Sequence, residues 1–258
     1  MTLDELKALA NNGDFNAIIE LSKYYYGATA KENDIDEAIK WTEKGAKFGY
    51  VNCMYLVSIL YTTKGHVLRK IVGGSSDITE SIECLKKAME WGRKAEAAGD
   101  KDAGKHLVDV TGELGISYFY YARGGEFYNP TRQESIDRYT VAINLLKSVY
   151  QKSEDPEVSM FLALSLNYCG ELTGYTEENN KLELSLYHKC VDNFFGQVVH
   201  SDIASMYLGI MYLEGRGCAV NYDTSYYYFK KADDAGFDCS EILSKFKKKL
   251  FGGYTFKD

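Results

Sequence analysis

One segment of this chain recurs at a fixed offset. Gly13-Asp-Phe-Asn-Ala17, followed by Leu21, Ser22 and Tyr25, is matched by Gly49-Tyr-Val-Asn-Cys53, followed by Val57, Ser58 and Tyr61, each pair 36 residues apart. The template returns as Gly99-Asp-Lys-Asp-Ala103 with Leu107, Val108 and Thr111, then as Met160, Leu164, Ser165 and Tyr168, and again as Ala204, Leu208, Gly209 and Tyr212. Positions three, four and seven apart share one face of an α-helix, so the template describes one helix in five copies. A repeat of this length is a single supersecondary unit that cannot bury its apolar face alone and must stack on its neighbours.

Each copy is followed by a second helix with its own signature: a small residue, an aromatic three later, a small residue seven later and a glycine at eleven. Ala38-Trp41-Gly45-Gly49, Ala88-Trp91-Ala95-Gly99 and Ser225-Tyr228-Ala232-Gly236 fit in full. Ser135 and Ala142 fit in part, with Arg138 at the aromatic place, and Leu182 to Phe195 fits poorly. Small residues let neighbouring helices approach while the aromatic fills the gap between them, and the glycines stand where a helix must end. Only 2 prolines in 258 residues leave little to interrupt helices. The expected fold is all-α: a stack of about five helix-turn-helix units, an α-solenoid.

These residues resemble the Sel-1-like repeat, a relative of the tetratricopeptide repeat. The resemblance rests on the L-S/G-x-x-Y core of the first helix, the turn Glu214-Gly215-Arg216-Gly217 leading to Asn221-Tyr222-Asp223, and the A-x-x-W second helix, over residues 13 to 238. It implies a right-handed superhelix, read here as one domain: a cap helix at 1–12, repeats at 13–49, 50–99, 100–152, 153–198 and 199–238, and a cap helix at 239–258. Extra length in the middle units is expected near 65 to 77, 112 to 130 and 171 to 181. The closing segment Ser240 to Phe251, with Leu243, Phe246, Leu250 and Phe251 spaced for one side, reads as an amphipathic helix.

The formal net charge of −7 argues against a nucleic-acid partner. The basic spots Lys64, His66, Arg69, Lys70 and Lys245, Lys247, Lys248, Lys249 read as solvated helix faces. Six cysteines without a CxxC pair point to buried free thiols and to no metal site. No nucleophile elbow, P-loop, dinucleotide fingerprint or HExxH motif is present. Cys190 lies two residues from His188, and positions two apart on a helix diverge. His106, three before Asp109, reads as a surface hydrogen-bond partner. No cofactor is expected. The acidic start Met1-Thr2-Leu3-Asp4-Glu5 lacks the form of a secretory leader, so the expected place is the cytoplasm unless a leader has been removed.

In the related repeats the first helices line a concave groove. The resemblance projects onto that face Asn16, Ile19 and Lys23, then Asn52, Tyr55 and Ile59, then Asp102, Lys105 and Asp109, then Leu162 and Leu166, and last Met206 and Ile210. The four apolar residues of the last two units either line the groove or pack against one another. The tyrosines at motif positions read as structural, whereas Tyr118-Phe119-Tyr120-Tyr121 and Phe127-Tyr128 either cover the long third unit or form a contact patch. The function expected is a non-catalytic, monomeric scaffold or adaptor that takes a protein or peptide in the groove. Two alternatives stand beside it: a hydrolase of the β-lactam-binding type that resemblance to cysteine-rich members implies, and a self-assembling structural element.

Overall fold

In a computed structural model, the structure describes residues 1–28, 31, 33–70, 75–125, 129–153, 155–192, 201–250 and 252–257, with backbone alone at 70, 75–77 and 192. It forms two compact units, Met1–Asn129 and Pro130–Asp258. The first holds α1 (Leu3–Asn11), α2 (Phe15–Tyr25), α3 (Ile35–Lys47), α4 (Val51–Lys70), α5 (Ser75–Ala97) and α6 (Ala103–Arg123). The second holds α7 (Arg132–Tyr150), α8 (Pro156–Thr173), α9 (Glu177–Asp192), α10 (Ser201–Glu214), α11 (Tyr222–Asp234), α12 (Ser240–Ser244) and a hairpin of β1 (Phe246–Lys248) with β2 (Tyr254–Phe256). Within each unit every helix packs mainly on its neighbours in sequence. The all-α class and the alternation of first and second helices therefore stand. The third repeat of the sequence has its first helix in one unit and its second in the other.

The turns explain the 36-residue spacing. Gly49 adopts φ +89° and closes α3 with paired bonds, its own N–H to Ala46 O at 3.0 Å and the Tyr50 N–H to Gly45 O at 3.2 Å. This is a Schellman closure, which needs a left-handed residue and so favours glycine. Gly13, Gly99 and Gly236 repeat the same pair of bonds at φ +89°, +93° and +98°. The next helix opens on a side-chain cap in several units: Asp14 on the Ala17 N–H, Asp155 on Glu157 and Val158, Asn221 on Thr224. Pro156 adds a first-turn proline to α8.

The small residues of the second helix are fully buried: Ala38, Ala88, Ala142, Ser225 and Ala232 all lie in the core. A methyl group at Gly45 would fall 2.5 Å from Cys53 Sγ, and one at Gly209 would fall 2.8 Å from the Phe229 ring. The extra length of the middle units goes largely into longer helices, α4 running to Lys70 and α6 to Arg123.

The C-terminal segment departs from the expected helix. After a single turn of α12 the chain straightens, and Phe246, Lys247 and Lys248 pair with Phe256, Thr255 and Tyr254 in an antiparallel hairpin. Gly252 and Gly253, at φ +93° and +79°, supply its turn. Phe246 is buried against Phe229 and Phe256, whereas Leu250 is 91% exposed. Phe251 lies outside the described residues.

Candidate functional site

In the first unit, Asn16, Lys23, Asn52, Lys105 and Asp109 are exposed, and the motif residues Leu21, Ser22, Val57 and Ser58 on the same helices are buried. Lys23 stands 3.6 Å from Glu20 on the rim of a cleft of about 470 Å³ that also holds Leu3, Leu6, Tyr24 and Lys31. Tyr55 and the surface of α6 come together separately. The Tyr55 ring meets the His106 ring edge-on at 5.6 Å, and burial followed by the charges of Asp102, Asp100 and Asp109 pushes its hydroxyl pKa up. Asp102 precedes α6 without a side-chain cap bond.

His106 is not the surface partner of Asp109 that the spacing suggested. It is half-buried, its Nε2 lies 3.3 Å from Thr62 Oγ1 on α4, and desolvation lowers its pKa. The first basic spot is likewise no solvated face. Arg69 is buried, its Nη1 is 2.7 Å from the Glu113 carboxylate, and His66 Nδ1 reaches the same carboxylate at 3.0 Å. Lys64 bridges Asp36 and Glu80. Those groups join α4 to α3, α5 and α6, and a repeat template of apolar and small residues gives no sign of them. In the Tyr118–Tyr121 run, Phe119 is buried, Tyr118 and Tyr121 are half-buried, and Tyr120 is exposed. Phe127, Tyr128 and His200 lie outside the described residues.

In the second unit, Leu162 and Leu166 are core residues at 0% and 2% exposure. They line no groove. Met206 and Ile210 are half-buried and border a cleft of about 500 Å³ between α10, α11 and α12.

A polar network that the sequence reading missed lies inside this unit. Arg216 Nη1 donates to Asn167 Oδ1 at 3.0 Å and sits 3.6 Å from Glu183, and its guanidinium covers the Tyr175 ring at 4.3 Å. Its Nε is 3.0 Å from Glu214 in an ionic contact whose angle makes no hydrogen bond. Burial pushes the Glu183 carboxyl up to about 7 against the opposing pull of Arg216. Among the described residues, one Glu183 oxygen and the Tyr187 hydroxyl are buried without a hydrogen-bond partner. The signal for Glu183 was present: stepping the small-aromatic-small spacing through α9 places Glu183, Leu186 and Cys190 in its three positions, and all three are buried.

The thiols are unpaired, and burial raises Cys53 to about 11 and Cys190 to about 12. Such groups are poor nucleophiles near neutrality. His188 and Cys190 face different partners, the imidazole bonding Tyr212 and Tyr228 hydroxyls and the thiol donating to Pro156 O. Among the described residues no three His, Cys, Asp or Glu side chains form a metal-holding group, and no helix is long and apolar enough to cross a membrane.

No family model and no curated protein matches the chain. Among solved structures it is similar to c5321, a protective antigen of uropathogenic Escherichia coli displaying an SLR fold, at 19% identity and a TM-score of 0.34 over 92% of this chain and 49% of that one. It is also similar to a Sel1 repeat protein from Oxalobacter formigenes, at 20% identity and a TM-score of 0.37 over 91% and 85% of the two chains. These structural neighbours are Sel1 repeat proteins. The chain spans about half the length of the first of them.

Proposed function

We propose that this chain is a non-catalytic scaffold that binds a protein or peptide segment through the faces of its first helices that packing leaves open. One observation carries the reading: on α2 and α4 the motif positions are buried, on α6 Ala103 is buried with Leu107, Val108 and Thr111 half-buried, and Asn16, Lys23, Asn52, Lys105 and Asp109 project from the same helices into solvent. Half-buried Tyr55, with an aromatic body and a polar tip, suits a contact surface. The mixed charge of Lys23, Lys105 and Asp109 suits register and partner choice more than raw affinity. Met206 and Ile210 would supply apolar anchorage in the second unit.

The test is affinity capture from lysate with the wild type and with a chain carrying Lys23→Glu and Lys105→Glu, its fold checked by circular dichroism. Both lysines are exposed, so the thermal midpoint should hold. A protein retained by the wild type and lost by the variant supports the reading. Equal retention by both removes the first-unit surface from it.

A further inference from the structure

Resting on the scaffold reading, we infer that the cleft between α10, α11 and α12 is a docking site for a peptide segment that carries an apolar side chain flanked by lysine or arginine. The floor of the cleft is Phe229, buried in a cluster with Ala232, Cys239 and Phe246. Its walls are Met206, Ile210 and Leu213 from α10 with Phe237 and Ile242 from the far side, all packed on that cluster yet only partly covered. Five neighbouring apolar side chains left partly open around about 500 Å³ form a concavity within the size range of ligand clefts.

The rim decides the occupant. It carries the carboxylates of Glu214, Asp238 and Glu241 against the single ammonium of Lys245. Glu214 is engaged by Arg216. Asp238 accepts from the Ser240 backbone N–H at 3.0 Å and its hydroxyl at 2.6 Å, which holds the carboxyl below its ordinary range and so ionised. Glu241 is exposed and carries no ion pair among the described residues. An apolar floor under an acidic rim attracts a hydrophobic anchor with cationic neighbours and repels an acidic one. The anchor supplies burial, and the flanking cations supply orientation.

The probe is a fluorescein-labelled peptide with a Leu-Ala-Ala-Phe centre between paired lysines, compared by anisotropy with the same peptide carrying glutamates in their place. The whole chain should bind the lysine peptide at least about tenfold more tightly than the glutamate peptide, with affinity falling as salt rises. Ile210→Gln should weaken binding about tenfold. Glu241→Lys, at an exposed position of α12, should weaken it about three- to tenfold and serves as the second variant where Ile210→Gln lowers the melting temperature. Equal binding of both peptides, or binding of neither, overturns the proposal, as does a lysine peptide indifferent to Glu241→Lys. If the peptides fail while Lys23 and Lys105 still govern capture of a partner, the cleft assignment falls and the scaffold reading stands. If both fail, the scaffold reading falls with it.

Discussion

The Glu183 carboxylate and the Arg216 guanidinium meet at 3.6 Å inside the second unit, with side-chain exposures of 1% and 9%. Ala38, Ala88, Ser135 and Ser225 occupy the place of Glu183 in the other second helices. A buried charge is tolerated while its partner is present and costs about 3–5 kcal/mol when the partner is removed. Arg216→Met should therefore destabilise the chain by about 3 kcal/mol, and adding Glu183→Ala should recover most of the loss. Urea denaturation of the two variants measures this. A double variant no more stable than Arg216→Met would show that Arg216 acts through Asn167 and Tyr175 instead.

The same pair sets a pH dependence. Glu183 ionises near 7 in the folded chain because burial outweighs Arg216, and an unfolded glutamate ionises near 4.3. The folded state thus holds the proton more tightly. Its contribution to stability is fully present below about pH 4 and is lost as pH rises through 7. The loss is on the order of 3 kcal/mol over that window. Glu183→Gln removes this titration, so its stability relative to wild type should rise between pH 5 and pH 8. A constant difference between the two pH profiles would place the titration elsewhere.

Gly45 and Cys53 test the close approach of α3 and α4. A Cβ at Gly45 would meet Cys53 Sγ at 2.5 Å and Ile18 at 3.1 Å. Alanine gains about 1 kcal/mol of helix propensity over glycine, but overpacking of a dense core costs about 1–3 kcal/mol. Gly45→Ala should be net destabilising. Cys53→Ala, which installs the residue found at the equivalent Ala17 and Ala103, should relieve part of the strain. A double-mutant cycle then gives a favourable coupling between the two changes, and strict additivity would mean that the helices shift apart instead.

Helix order, the turn glycines and the buried small positions were legible in the sequence because each repeats, and repetition separates a packing requirement from chance. Leu162 and Leu166 could not be assigned between groove and core, since an apolar residue satisfies both until its neighbours are known. Arg69, His66 and Glu113 were illegible for another reason. Their partners are 44 to 47 residues apart and occur once, so no period marks them. Met206 and Ile210 were singled out from the repeat, but of the acidic rim around them Asp238 comes from the turn after α11 and Glu241 from α12, where the template ends.

The C-terminal hairpin yields the sharpest test, because helix and hairpin assign opposite burial to one residue. Leu243, Phe246, Leu250 and Phe251 carry helical spacing, which would bury Leu250 and make its loss costly. Two adjacent glycines at positive φ turn the chain instead, and the Tyr254 N–H is fixed by the Asp223 carboxylate of α11 at 2.5 Å. In the hairpin Leu250 is 91% exposed at the turn, and Phe246 is buried with its ring 4.9 Å from Phe256 and 5.6 Å from Tyr226. Leu250→Asp should consequently change stability by less than about 0.5 kcal/mol, while Phe246→Ala should cost about 3–5 kcal/mol. Thermal denaturation of the two variants side by side separates the alternatives, and a Leu250→Asp chain that melts as early as Phe246→Ala would restore the helix.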